Sequence, residues 1–310
     1  MTIFGIITAV GVIAGRIGIL DRQTITRLIH LIVHITMPAM IIAAVAHVDP
    51  QLGRQRIPTA GCLAVLAFVI MLVFGYIFVC CARVRPSHRA IYVFMSLCTN
   101  VSFIGIPVSR ALYGFDGVVL ASVFVMVLSF FMYSLGFALL ARAGMDVTPR
   151  GSRASRLFRS LRRAVNMPVL ASLAAIGMLY CQISLPPIIN DACDMLGTPT
   201  APIAMMCVGA MMSRLSLREL LGELRLYPFI VLRFFVLPLA CVILLKLYGL
   251  DVAVIHIFAM MCIMPVGSMA GPFVDRFGLD GKLAAKGTIV STIFAFAGIP
   301  MTILAMQYLL

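Results

Sequence analysis

Four polar side chains, Thr99, Asn100, Ser102 and Ser268, fall where two apolar runs of this chain are interrupted. The first run reads Leu97-Cys98-Thr99-Asn100-Val101-Ser102-Phe103-Ile104-Gly105-Ile106-Pro107. The second reads Met261-Cys262-Ile263-Met264-Pro265-Val266-Gly267-Ser268-Met269-Ala270-Gly271-Pro272. Proline removes a backbone donor and clashes with the preceding turn, and glycine loosens a helix, so each run is expected to split into two half-helices. A half-helix N-terminus presents unsatisfied N–H groups and a partial positive charge, which favours an anion without a buried lysine. The Asn100 amide can donate to a carboxylate or accept from a backbone donor, and the three hydroxyls add hydrogen-bonding groups near the same level. The ligand this chemistry fits is a small organic carboxylate. The plainer role of Asn100 is to satisfy backbone groups freed by Pro107, and the two roles are compatible. Gly105 and Gly267 serve close helix approach first and substrate contact second.

The other candidate groups are few. Arg233 is the one basic residue well inside an apolar run, which makes it a candidate for substrate contact, although an arginine there can also reach the interface or a helix C-terminus. His30 and His34 share a helix face at i, i+4, and with His256 they are the titratable groups within apolar segments. All eleven acidic residues fall in loops or at the ends of apolar runs. That disfavours a mid-membrane proton carrier, while hydroxyl and carbonyl oxygens could still hold sodium. The nine cysteines show no CxxC spacing, so neither a zinc site nor a disulfide framework is indicated. No GxSxG, HExxH or paired-aspartate motif occurs, and no enzyme activity, catalytic residue, metal or cofactor is expected.

The elements that must position these groups are membrane helices. The chain is 62% hydrophobic and 11% charged, with mean hydropathy +1.10; a soluble domain would carry about a quarter charged residues. At roughly 20 residues per span, the apolar runs read as ten spans: 2–20, 28–46, 58–81, 90–112, 117–141, 164–183, 196–213, 226–247, 252–276 and 283–308. The first apolar stretch, Ile3 to Ala14, has no basic region before it and reads as a span rather than a cleaved signal peptide. The net charge is +13, and 19 of the 24 basic residues lie in or beside loops after odd-numbered spans. That bias places both termini outside the cytoplasm of an integral inner (plasma) membrane protein. The arginine-rich stretch 142–163 then lies near anionic headgroups, and no nucleic-acid partner is called for.

Five spans precede that stretch and five follow it, so the halves insert in opposite orientation as an inverted repeat. Span 2 carries Met37-Pro38-Ala39-Met40 and span 7 carries Pro202-Ile203-Ala204-Met205; Pro107 and Pro265 follow 69 and 63 residues further on. A matched pair of interrupted spans in the two halves, here spans 4 and 9, points to a transporter's binding site. Pro38, Pro202 and Met205 therefore join Thr99, Asn100, Ser102, Gly105, Pro107, Pro265, Gly267 and Ser268 as candidate substrate-binding residues, with Arg233 and His34 as further possibilities.

At these residues the chain resembles the auxin efflux carrier family, which includes the plant PIN carriers and bacterial malonate-type permeases. Asn100 to Pro107 followed by Leu112-Tyr113-Gly114 is similar to the family's N-x-G-F-x-G-x-P…x-Y-G element. Ala201 to Ala210 is similar to its A-P-L-A-L-x-x-x-G-A element, and Pro265 to Gly278 with Ser291-Thr292 and Pro300 to its last two spans. Ser102 stands where the family usually has glycine, and the central loop is short, so substrate identity does not carry over from the plant members. The resemblance implies an all-α polytopic fold of ten helices, similar also to the sodium–bile-acid symporters. It implies a scaffold, 1–50 and 164–215, that forms a homodimer in the lipid bilayer. It implies a transport domain, 51–145 and 216–310, with a basic cytoplasmic linker at 146–163 and broken spans 4 and 9 crossing at its centre. The expected function is a permease for a small organic carboxylate working by alternating access, as uniport or efflux; the alternative is a sodium- or proton-coupled organic anion symporter. A receptor built on a carrier-like fold is the remaining reading from another class.

Overall fold

The computed structural model describes residues 2–144, 166–213, 223–247 and 249–309. The linker expected at 146–163 lies outside the described residues. Every regular element among them is helical. In chain order they are α1 (Thr2–Arg16), α2 (Arg22–Val45), α3 (Pro50–Cys81), α4 (Pro86–Leu97), α5 (Val101–Ala143), α6 (Met167–Cys181), α7 (Pro187–Gly197), α8 (Thr200–Met212), α9 (226–247), α10 (Val252–Ile263), α11 (Ala270–Arg276) and α12 (Gly281–Leu309). By length and composition, five stretches can each cross a membrane: Arg22–Val45, Arg54–Cys81, Val101–Ala143, Pro187–Met212 and Leu226–Ile243. Shorter apolar helices lie at Gly5–Arg16, Met167–Cys181 and Val252–Ile263.

Helix starts follow local chemistry. The Asp21 carboxylate accepts from the Thr24 N–H at 2.6 Å and caps α2. Asp251 caps α10 through Ala253 N–H at 2.8 Å and Val254 N–H at 3.4 Å. Pro86 and Pro187 open α4 and α7, where a missing N–H costs nothing.

Prolines inside helices act differently. Pro38, Pro107 and Pro238 each stand two residues after a widened π turn, at Ile32–Thr36, Val101–Gly105 and Leu232–Val236. A proline cannot bond to the carbonyl four residues back and its ring pushes that carbonyl away, so the preceding turn takes in an extra residue. A fourth π turn, Met132–Gly136, has no such proline. There the Ser134 hydroxyl bonds back to the Phe130 carbonyl at 2.7 Å and competes with the backbone ladder.

Two compact units emerge from the packing. The first comprises 1–60, 101–126 and 167–219, the second 61–100, 127–166 and 220–310. In the first, α1 lies against α8 with backbones almost touching: a Cβ on Gly11 would collide with the Met206 backbone, and one on Gly209 with the Thr8 carbonyl. Small residues at such positions let membrane helices gain dispersion contacts where no hydrophobic effect drives association. The helix α2 packs on α6 and α7, and Arg54 donates to the Leu179 and Tyr180 carbonyls at the end of α6, at 3.1 and 3.0 Å. Within α5, Gly114 takes φ +63°, a conformation that costs other residues strain. Beside that bend the Arg110 guanidinium lies 3.2 Å from the Phe115 ring centroid and pairs with Asp194 at 3.4 Å. His47 stacks on Phe115 at 3.9 Å, and Arg56 pairs with Asp116 at 3.1 Å.

The second unit has two aromatic clusters. Phe74, Phe78, Tyr92 and Phe229 form one, with centroids 5.1–6.1 Å apart in the contacting pairs. Phe94, Tyr133, Phe137, Phe273 and Phe277 form the other, largely edge to face. Through Tyr92 and Phe94 the two clusters pack on the helix α4 just before the chain leaves it.

Candidate functional site

The chain leaves the helical conformation at 98–100, after α4, and at 264–269, after α10. The two irregular stretches belong to the second unit and pair with each other. Asn100 N–H donates to the Pro265 carbonyl and Gly267 N–H to the Cys98 carbonyl, both at 2.8 Å, making a short antiparallel bridge between Thr99 and Val266. Two strand-like fragments thus supply each other's partners, which is what non-helical backbone needs when water is excluded.

Further backbone groups at and beside these stretches are met from two neighbouring helices. From α12, the Ser291 hydroxyl accepts from Val266 N–H at 3.0 Å, and the Thr288 hydroxyl donates to the Gly267 carbonyl at 3.1 Å. From α9, Arg233 donates through Nε and Nη2 to the Ser96 carbonyl, at 3.3 and 3.1 Å, and through Nη1 to the Met264 carbonyl at 3.2 Å. Arg233 has 0% of its surface exposed. It sits in the π turn before Pro238, where the extra residue turns the helix face by about a third of a turn. Among the described residues no carboxylate pairs with it.

Against this tightly paired backbone, several side chains stay uncommitted. The half-buried Asn100 carboxamide makes no hydrogen bond among the described residues, although its own N–H is engaged with Pro265. The Thr99 hydroxyl is buried without a partner there. The Ser268 hydroxyl is half-buried and likewise makes no hydrogen bond among the described residues. A Cβ on Gly267 would stand 3.1 Å from the Cys98 sulfur, so that position favours glycine for the close approach of the two fragments.

The second unit therefore brings together Thr99, Asn100, Pro265, Gly267 and Ser268. Arg233 also belongs to the second unit, and the first unit holds the remaining candidates. Ser102, Gly105 and Pro107 lie on the opening turns of α5, with Gly105 and Pro107 buried. Pro38 is buried in α2, and Pro202 and Met205 lie on α8, which packs on the opening turn of α5 and on the π turn of α2. His34 is exposed, stacks on His30 at 5.4 Å between centroids, and shares a hydrogen bond with the His30 carbonyl at 2.9 Å. A cavity of about 270 Å³ in the first unit, lined mainly by apolar residues such as Ile42, Val45, Met178 and Leu185, contains none of the residues singled out from sequence.

The described acidic side chains stay at the periphery of both units. Asp21 and Asp251 cap helices, Asp116 and Asp194 pair with arginines, and Asp280 accepts from the Leu283 N–H at the start of α12. Among the described residues, no three of His, Cys, Asp and Glu come together as a metal-binding group. Sequence reasoning missed Thr288, Ser291 and Pro238. The signal for the first two is a hydroxyl pair at i, i+3 on one face of an otherwise apolar helix.

A family model described as membrane transport protein matches residues 2–303. A search of curated proteins finds no match.

Proposed function

Because this chain belongs to the membrane transport protein family, that of the auxin efflux carriers, we propose that it is a secondary transporter moving a small organic carboxylate by alternating access. The observation that carries the substrate class is the free carboxamide of Asn100 on non-helical backbone. It is flanked by the unpartnered Thr99 hydroxyl, and no described acidic side chain bonds to either. Such a group can donate two hydrogen bonds to a carboxylate, and no neighbouring negative charge opposes the anion. Broken helices that meet in protein are where membrane carriers hold polar substrates. In this reading 51–145 and 216–310 form the moving transport domain, and 1–50 and 164–215 a dimeric scaffold, with both termini outside the cytoplasm. Without a titrating group in the site, the mechanism is uniport of the anion. An inside-negative potential favours its exit by about 2.3 kcal/mol per charge per 100 mV.

The test is flux into proteoliposomes of radiolabelled mono- and dicarboxylates, including malonate, malate and indole acetate, with Asn100→Ala as the control. Saturable flux of at least one carboxylate that falls in the variant supports the reading. Saturable flux of cations or neutral solutes with none of any carboxylate sinks it.

A further inference from the structure

The helices α4 and α10 end against the same side chain. Ser96 lies in the last turn of α4, and Met264 is the C-cap of α10; their carbonyls both accept from Arg233. Each helix C-terminus carries a partial negative charge of about half a unit. Two such ends converging on buried backbone repel one another and lack the water that would solvate them, so the arrangement needs a cation. Arginine suits it well: the charge is permanent, and the planar fork reaches two acceptors at once with little entropy left to lose. All three nitrogens donate here, Nε and Nη2 to Ser96 and Nη1 to Met264. The Phe234 ring lies 4.8 Å from the guanidinium carbon and adds an aromatic face.

We propose that the Ser96 and Met264 carbonyls form an internal cation site whose occupant is the protein's own guanidinium, standing where a mobile coupling ion would otherwise be required. The inference rests on the transporter reading for its meaning in the cycle, because a tethered cation can neither dissociate nor change charge between states. The charge that holds the two helix ends together is then present throughout, and no ion need enter or leave with the substrate. Arg233 is on this account a positioning residue: it fixes the backbone that carries Asn100 and contacts no substrate.

The site should betray itself when emptied. Arg233→Ala leaves two carbonyls facing a space shaped for a guanidinium, while Arg233→Met fills that space without charge. In purified full-length protein in lipid nanodiscs, both variants are expected to melt at least about 5 °C below the parent. Guanidinium or methylguanidinium at about 10–50 mM, too dilute to denature, is expected to restore half or more of the loss in Arg233→Ala, by binding the folded state alone. Urea at the same concentration is expected to restore nothing, and the parent is expected to be unmoved by any of them. Melting of Arg233→Met at the parent's temperature overturns the proposal, as does an Arg233→Ala deficit that guanidinium leaves unchanged. If Arg233→Ala gives no folded protein, Arg233→Lys carries the test. Folded protein with lysine but not with methionine upholds the cation site, and equal folding of the two overturns it. None of these readouts involves a substrate, so their failure leaves the carboxylate reading standing, and a failed carboxylate screen leaves them standing.

Discussion

The N–H of Asn100 donates to the carbonyl of Pro265 at 2.8 Å, so the residue proposed to meet the carboxylate is held by the non-helical backbone that follows α10. Main chain and side chain are separated within one residue: the main chain anchors, and the carboxamide makes no hydrogen bond among the described residues. Asn100→Ala therefore leaves the anchor intact. It is expected to weaken carboxylate binding by about 1.5–3 kcal/mol, the contribution of a charge-assisted hydrogen bond, with little change in melting temperature. Isothermal titration beside a thermal melt separates the two effects, and unchanged affinity would assign the ligand elsewhere.

Ser291 should behave in the opposite way. Its hydroxyl is the acceptor for the buried Val266 N–H. Ser291→Ala orphans that donor, which costs about 1–3 kcal/mol, and a lower melting temperature without substrate is the expected result. Thr292, half-buried and bonded, among the described residues, only to the Thr288 carbonyl of its own helix, is the matched control; Thr292→Val is expected to cost less than half as much.

Pro238 and Arg233 should prove coupled. With proline removed, the turn at Leu232–Val236 can tighten to an α-helix, which withdraws Arg233 from the Ser96 and Met264 carbonyls. Pro238→Ala is expected to destabilise the parent and to cost far less in an Arg233→Met background. A double-mutant cycle of melts reads this directly, and simple additivity would mean that the proline does not set the arginine's position.

Coupling is tested with imposed gradients. In proteoliposomes at clamped zero voltage, neither a pH gradient nor a sodium gradient is expected to drive uphill carboxylate accumulation, whereas an imposed potential is expected to drive it. Robust accumulation on a pH gradient would refute uniport. His30, His34 and His256 would then be the groups to replace.

Orientation has its own check. Cysteines introduced at Thr2 and Gln307 are expected to react with an impermeant reagent added outside intact cells, as the 19 basic residues beside loops after odd-numbered spans require. Protection of both positions would invert the topology.

Much of the local backbone was legible in the sequence, because proline and glycine act on their own neighbourhoods. The non-helical stretch at 264–269 contains Pro265 and Gly267, whereas that at 98–100 contains neither residue type and lies upstream of Gly105 and Pro107. Three π turns stand before Pro38, Pro107 and Pro238, each displaced by the same two residues. The partners of Arg233 were not legible. They are carbonyl oxygens, which every residue carries, and only the fold selects those of Ser96 and Met264 from the rest. Thr288 and Ser291 escaped for a related reason: a hydroxyl in an apolar helix usually bonds back into its own turn, as Ser122 does with the Val119 carbonyl. Nothing in sequence distinguishes that habit from a reach across to the Val266–Gly267 backbone.

The contact of Gly11 with the backbone of Met206, and of Gly209 with that of Thr8, has a consequence for biosynthesis. The helix α1 leaves the ribosome before α8, which follows about 200 residues later, a delay of about 10–40 s at ordinary elongation rates. Through that interval the contact face of α1 stays open, and that face is built largely of small residues, Thr8, Gly11, Ala14 and Gly15, rather than leucine. Such a surface holds lipid chains weakly and is easily vacated when α8 arrives. Bulkier residues at Gly11 or Gly209 would then harm assembly twice, by blocking the final contact and by leaving α1 satisfied with lipid before its partner has been made.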